Sequence, residues 1–360
     1  PTRVHPTPGD PEALAVLLYT SGTSGTPRAA MLTHRALVAN IEQAAAVDPP
    51  LIAADDVVLG VLPLFHVYGL NAVLGQVLRT GARLVLADGF DVEGTLELVE
   101  DEAVTVLPVA PPVLAYWRSV PDLRDRLAGV RLVLSGSAPL PPEVRADFQE
   151  RSGVTVHEGY GLTEAAPVVT STLLSPTPRT GTVGPPLPGV EVRLVDEQGM
   201  AVGDGEPGEI QVRGPTVFLD YWERPEDTES AFTDDGWFRT GDTAVIESGR
   251  YRILGRSSVD ILKSGGEKIS ALEVEEVLLG HEAISEAAVV GIDDPEWGQR
   301  VVAVVVVKHP VDAEELRQWA RGILAPHKVP KEFRFTEALP RNPLGKTVKP
   351  EVVRLLAESG

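Results

Sequence analysis

The chain has 360 residues, 43% of them hydrophobic, with 32 Lys and Arg against 52 Asp and Glu for a formal net charge of −20, and no cysteine. That length fits two domains or more, each with its own core. The acidic balance argues against a nucleic-acid or anionic-membrane surface, and the lack of cysteine excludes disulfides, cysteine nucleophiles and thiolate metal sites. No apolar run reaches the roughly 18 residues of a membrane span, and Pro1–Pro6 lacks the form of a signal peptide, so a cytoplasmic chain without a transmembrane segment is expected.

Residues 1–13 are rich in proline and polar groups and read as an irregular lead-in. Ala15–Tyr19 is an apolar, strand-like run, and Thr20–Thr26 (TSGTSGT) follows it directly. Thr20, Ser21, Gly22, Thr23, Ser24, Gly25 and Thr26 add nothing apolar to a core. They can offer backbone N–H groups and hydroxyls to an anion, as a triphosphate requires. The plain alternative is a flexible linker, but the run is short, abuts a strand and holds three threonines. It is not the G-x-x-x-x-G-K-[ST] loop, because no lysine precedes its last hydroxyl residue. Further on, Val57–Leu62, Arg83–Leu86, Val104–Val106 and Val130–Leu134 read as buried strands, and Arg35–Ala46, Val92–Glu100 and Pro142–Arg151 as helices. The alternation predicts an α/β layered fold with a largely parallel sheet.

From about Thr182 the pattern changes. Val190–Val195 and Glu209–Val212 alternate with period two around glycine turns, which predicts a small antiparallel β module. A compact α+β region begins near Arg256, with a helix at Leu272–Leu279, strands at Ala287–Ile292 and Val301–Lys308, and a helix at Glu314–Leu324 carrying Trp319 on its apolar face. The expected organisation is therefore 1–181, an α/β nucleotide- and acyl-binding part; 182–256, a β-rich part ending at a hinge; and 257–360, a small mobile α+β lid.

Four clusters carry chemistry. Gly136, Ser137 and Ala138 follow a strand, where small residues let a ligand approach closely. In Glu158-Gly159-Tyr160-Gly161-Leu162-Thr163-Glu164, an aromatic ring between glycines can lie against a planar base, with a hydroxyl and a carboxylate at phosphate and Mg²⁺ reach. Asp242, after Gly241, can accept both hydroxyls of a ribose. Arg256, the Lys263–Lys268 stretch and Lys346, which follows a Pro/Gly loop, supply cations near the ends of the third region, where a lysine could neutralise charge on a transferring phosphate. Each cluster alone fits an ordinary turn, packed tyrosine, capping Asp or solvated lysine. Together and in order they describe an ATP site.

These motifs resemble those of the adenylate-forming superfamily of acyl-CoA synthetases, adenylation domains and luciferases: YTSGTSGTP (Tyr19–Pro27), GYGLTE (Gly159–Glu164), WFRTGD (Trp237–Asp242), GR (Gly255-Arg256), KSGGEKI (Lys263–Ile269) and PRNPLGK (Pro340–Lys346), in family order across nearly the whole chain. The resemblance implies a carboxylate attacking the α-phosphate of ATP to give an acyl-adenylate and pyrophosphate. A lid then rotates, and the thiol of coenzyme A displaces AMP. It implies that Thr20–Thr26 hold the β/γ-phosphates and that Gly136–Ala138 and Tyr160, with Glu158 and Gly159, flank the adenine. Thr163 would touch the α-phosphate, Glu164 the Mg²⁺, and Asp242 the ribose with Arg256 beside it. Lys346 would act in the first step only. Ser257 and Ser258 would be the hinge, and Gly265 and Gly266 would line the coenzyme A tunnel. His66, Val67 and Gly69, with Gly161 and Leu162, would form the acyl pocket. The expected partners are a small carboxylic acid, ATP and coenzyme A, with room left for a homo-oligomer.

Two departures stand out. The loop is followed by Pro27-Arg28-Ala29 where the family has Pro-Lys-Gly, which exchanges a point charge for a planar fork. Only 19 residues precede Thr20, where family members carry well over a hundred, so missing strands, an uncovered sheet edge and an exposed apolar face are expected. The stretches Gly255–Leu272 and Glu296–Arg300 are similar to the malonyl-CoA synthetase branch. That branch has an Arg at the position of Gly159, to pair a second carboxylate, and an unpaired buried carboxylate is costly. Gly159 is read instead as opening space for an aliphatic tail, so a fatty or other monocarboxylic acid is expected. Malonate or methylmalonate is the alternative kept open by Arg179. An adenylation module serving a carrier protein and an inactive binding fragment are the remaining alternatives.

Overall fold

The computed structural model describes residues 9–20, 27–175, 177–341 and 347–358. The chain forms two compact units: Pro1–Leu140, Val144–Arg193 and Gln211–Thr240 make the first, and Pro141–Glu143, Leu194–Ile210 and Gly241–Gly360 the second.

The first unit opens on an antiparallel pair, β1 (Leu14–Thr20) and β2 (Arg28–Thr33), with Thr20 opposite Arg28. The Thr33 side chain accepts from the Ala36 N–H at 3.1 Å and so starts the helix His34–Ala45, satisfying a donor that the first turn leaves open. A six-stranded sheet follows from β3 (Val57–Gly60), β4 (Arg83–Leu86), β5 (Val106–Val109), β6 (Leu132–Ser135), β7 (Val156–Gly161) and β8 (Val168–Ser171), in the order β4-β3-β5-β6-β7-β8. All its pairings are parallel except the last, β7 with β8. Valines and leucines on both faces explain why: β5 is buried at every residue, as a strand covered by helices on both sides must be. Leu59, Leu96, Leu107, Leu114, Trp117, Phe148 and Val156 pack into one core, each side chain contributing about 1.5–3 kcal/mol by leaving water. β4 ends the sheet on one side, and Leu86 on it is 60% exposed, as are Phe65 at 74% and Leu78 at 75% elsewhere in the unit.

A four-stranded sheet has the order β12-β11-β10-β9, from β9 (Glu191–Val195), β10 (Gly208–Arg213), β11 (Phe238–Glu247) and β12 (Arg250–Arg256). The second unit contains β13 (Ile261–Ser264), β14 (Glu267–Ser270), β15 (Ile284–Asp294), β16 (Gly298–Val307) and β17 (Glu332–Phe335), in the order β14-β13-β16-β15 with β17 parallel to β16. Helices Ala271–Leu279 and Ala313–Ile323 cover it through Val274, Leu278, Leu316 and Ala320. Trp319 lies on the same helix face as Leu316 and Ala320, at its rim: it is 38% exposed, its ring meets His281 edge-on at 5.3 Å, and Nε1 donates to the Val277 carbonyl at 2.9 Å. Its polar N–H needs an acceptor, which a fully apolar face would not supply. Among the described residues, no helix is long and apolar enough to cross a membrane.

Candidate active site

The parallel strands place their carboxyl ends together, and Gly136, Ser137 and Ala138 leave the sheet there, after β6. Ser137 and Ala138 are exposed. Ser137 has φ +74°, a left-handed conformation that costs a non-glycine residue on the order of 1–3 kcal/mol and tends to cluster at ligand sites. The ring of Tyr68 packs against Gly136, and its Oη donates to the Leu134 carbonyl at 3.1 Å. Burial pushes the Tyr68 phenol well above its ordinary pKa, so it stays a neutral donor. Tyr68 thus joins the His66–Gly69 segment to the Gly136 segment. Nothing local in the sequence signals that link, because a tyrosine in an apolar run looks like any core aromatic.

His66 is half-buried, and its Nδ1 accepts from the Tyr68 N–H at 3.2 Å. Burial lowers its pKa, which leaves a neutral ring with the proton on Nε2. Val67 and Gly69 are buried at the start of a π-helical stretch, Tyr68–Gly75. Within it, Asn71 Nδ2 donates to the carbonyls of Leu37 at 3.1 Å and Ala166 at 2.6 Å. That contact ties the loop after β7 to this helix, a role the sequence did not signal.

β7 carries Glu158, Gly159, Tyr160 and Gly161. Glu158 accepts from Arg145 Nη1 at 3.1 Å, with side chains only 12% and 5% exposed, so it forms a buried ion pair with the helix Pro142–Ser152. Its neighbour His157 is held neutral, its pKa lowered by burial and then by the charge of Arg145. The Tyr160 N–H donates to Thr170 Oγ1 at 3.3 Å. Gly159 lies opposite Ser171, and a Cβ built on it would sit 2.8 Å from the Thr170 carbonyl oxygen. The space beside Gly159 is therefore filled by the backbone of β8. The glycine permits two strands to approach and does not open room for a tail, which corrects the sequence reading.

Beyond Leu162, Thr163–Ala165 form a 3₁₀ turn. Glu164 is buried, and its Oε1 accepts from Tyr221 Oη at 2.8 Å. Its carbonyl accepts from the Phe218 N–H at 2.8 Å. Residues 219–222 run beside β2: Leu219 N–H donates to Met31, Met31 N–H to Asp220 and Trp222 N–H to Ala29, each at 2.9 Å. Arg28, the family departure, stacks over the Tyr221 ring at 4.9 Å and meets Asp227 Oδ1 at 3.4 Å. Of the expected phosphate loop only Thr20 is described; Ser21, Gly22, Thr23, Ser24, Gly25 and Thr26, like Lys346, lie outside the described residues.

In the second unit, Asp242 on β11 is buried and accepts from Arg256 Nε on β12 at 2.9 Å, the two being cross-strand partners. The Ser257 N–H donates to the Gly241 carbonyl at 2.8 Å, and Ser257 Oγ lies 2.8 Å from Thr243 Oγ1; Ser258 follows in the same exposed turn. Next, Asp260 Oδ2 accepts from the Arg256 N–H at 2.9 Å and Oδ1 from Lys349 Nζ at 2.5 Å. Lys349 also meets Glu275 at 2.8 Å. Burial opposes the charge on Lys349, but Glu275 and Asp260 outweigh it and hold its pKa above the usual lysine value. Gly265 and Gly266 turn β13 into β14 with φ of +61° and +83°. The Gly265 N–H donates to the Trp297 carbonyl at 2.8 Å, and a Cβ there would meet the indole at 3.0 Å.

Among the described residues, no three His, Cys, Asp or Glu side chains gather into a metal cage. A single hard carboxylate, Glu164, suits Mg²⁺, which takes one or two protein carboxylates and completes its shell with water and substrate phosphates. Tyr160, Thr163 and Glu164 belong to the first unit, and Asp242, Arg256, Gly265 and Gly266 to the second.

The family described as AMP-binding enzyme matches residues 2–222, and its C-terminal domain matches residues 273–346. The chain belongs to the AMP-binding enzyme family. It is 42% identical to the mitochondrial malonate–CoA ligase ACSF3 of Mus musculus, over 96% of this chain and 65% of that protein. It is 39% identical to a long-chain-fatty-acid–CoA ligase of Bacillus subtilis, over 94% of this chain and 61% of that protein. It thus spans a little under two thirds of these relatives' length. Among solved structures, ATP-bound MatB from Rhodopseudomonas palustris superposes with a TM-score of 0.90 at 34% identity, covering 97% of this chain and 69% of that one.

Proposed function

We propose that this chain supplies the catalytic part of an AMP-forming acid–CoA ligase. The acid's carboxylate oxygen attacks the α-phosphorus of ATP, the bond to the β-phosphate oxygen breaks, and pyrophosphate leaves. The coenzyme A thiol then displaces AMP. The observation that carries this reading is Glu164: a buried carboxylate fixed by one tyrosine hydroxyl, in the loop that also holds Tyr160 and Thr163, within a family of AMP-binding enzymes. Mg²⁺, when bound, supplies charge neutralisation at the phosphates. Glu164 would hold it, Tyr160 and Gly136–Ala138 would flank the adenine, Thr163 would meet the α-phosphate, and Asp242, oriented by Arg256, would take the ribose hydroxyls. Lys346 would serve adenylation, and rotation about Ser257-Ser258 would carry residues 257–360 into the pose where Gly265 and Gly266 border the thiol's path.

The acid in this reading is a monocarboxylate. Arg145 is committed to Glu158, and His66, in the expected acyl pocket, is neutral through burial, so neither offers a charge to a second carboxylate. Malonate is the second reading, favoured by the 42% identity to a malonate–CoA ligase. The expected cytoplasmic location belongs to the same proposal, although that relative is mitochondrial by name. Coenzyme A-dependent AMP release, measured side by side with acetate, octanoate, palmitate and malonate, tests both. Highest kcat/KM with a fatty acid supports the first reading, and preference for malonate replaces it with the second.

A further inference from the structure

Tyr221 lies outside every motif that pointed to the nucleotide, yet it is the one side chain hydrogen-bonded to the Glu164 carboxylate among the described residues. We propose that Tyr221 is a positioning residue that presents Glu164 to a divalent cation carried on a nucleoside triphosphate. The proposal rests on the ATP-dependent reading above and deepens it.

Three observations converge. Glu164 and Tyr221 are 9% and 6% exposed, so water does not compete freely for their hydrogen bond. The Tyr221 hydroxyl donates to Oε1 at 2.8 Å, which restrains the carboxylate, and no side chain among the described residues hydrogen-bonds Oε2. The ring itself has one place to stand. Phe218 meets it edge-on at 4.7 Å, the Arg28 guanidinium stacks at 4.9 Å, and the backbone bridges to Ala30 on β2. Arg28 is anchored in turn by Asp227 and stands two residues after Thr26. The support that orients the cation ligand is thus built on the strand that leaves the phosphate loop. Groups that orient a metal's carboxylate in this way typically change metal affinity by about 10–100-fold when removed.

The test is calorimetric binding of ATP to the whole chain, with a Mg²⁺ series and, separately, in EDTA. Tyr221→Phe keeps the ring and its stacking and removes only the hydroxyl. The apparent Mg²⁺ affinity at fixed ATP should fall by about 10–100-fold, while ATP binding in EDTA stays within about twofold. In a Glu164→Gln background, which removes any unpaired buried charge, Tyr221→Phe should change nothing further. Unchanged Mg²⁺ dependence in Tyr221→Phe overturns the proposal, and so does equal weakening with and without Mg²⁺. A wild-type chain whose ATP binding ignores Mg²⁺ overturns the proposal and leaves the ATP-dependent reading standing, whereas one that binds no ATP in either buffer overturns both, a result visible before any substitution is made.

Discussion

Replacing Gly159 by alanine adds a single methyl at the point where β7 and β8 approach most closely. That methyl would sit 2.8 Å from the Thr170 carbonyl oxygen, a backbone atom that cannot rotate away. Relief requires β8 to move by several tenths of an ångström. β8 is held by the β7 pairing at Gly159–Ser171 and Tyr160–Thr170, and by Thr170 Oγ1 donating to the Val183 carbonyl at 2.7 Å. Overpacking against such a wall costs on the order of 1–3 kcal/mol, or roughly 2–12 °C in Tm at about 2–4 °C per kcal/mol. Differential scanning fluorimetry of Gly159→Ala against wild type measures it. Gly159→Arg should be destabilised at least as much, so the arginine that malonate ligation would ask for at this position meets a steric barrier before any question of specificity arises. A Gly159→Ala melting temperature within about 1 °C of wild type would refute the close-approach reasoning.

Other substitutions probe different parts of the chain. Lys349→Met strands Asp260 and Glu275, whose side chains are 17% and 13% exposed, and should cost about 3–5 kcal/mol; a shift of the urea transition worth less than about 1 kcal/mol would show that the two acids find other partners. His66 and His157 both have folded pKa values depressed below 6.5. Their contribution is therefore complete above the unfolded value and lost as pH falls from 6.5 through the lowered folded values. The His66→Asn/His157→Asn chain should show a flatter decline in Tm over that window, and parallel curves would contradict the assignment. Lys346→Ala should abolish pyrophosphate release from acid plus ATP while sparing thioester formation from supplied acyl-adenylate; equal loss of both half-reactions would remove the division of roles.

The layered α/β class was legible because apolar runs such as Val57–Gly60 and Leu132–Ser135 alternate with amphipathic helices, and two periods in one chain admit few architectures. The candidate site was legible where side-chain type and spacing are themselves chemical, as in Thr163-Glu164 and Asp242. What escaped were contacts between distant positions. Tyr221 reaches Glu164 across 57 residues, and Asn71 reaches Ala166 across 95. Neither carries a local signal, because an isolated Tyr or Asn reads the same in a loop, a core or a site. The π-helical stretch at Tyr68–Gly75 is mostly apolar, so periodicity could not separate it from a strand or an ordinary helix. Gly159 was misjudged for a related reason: a glycine in sequence marks either room for a ligand or the close approach of backbone, and only the register of β8 decides between them.

The most direct test of the account is acid-dependent pyrophosphate release with Mg²⁺-ATP and no coenzyme A, with mass-spectrometric detection of the adenylate. With octanoate, the account predicts pyrophosphate and octanoyl-AMP in equal amounts. ATP binding that yields no acid-dependent pyrophosphate and no adenylate with any carboxylic acid would contradict it.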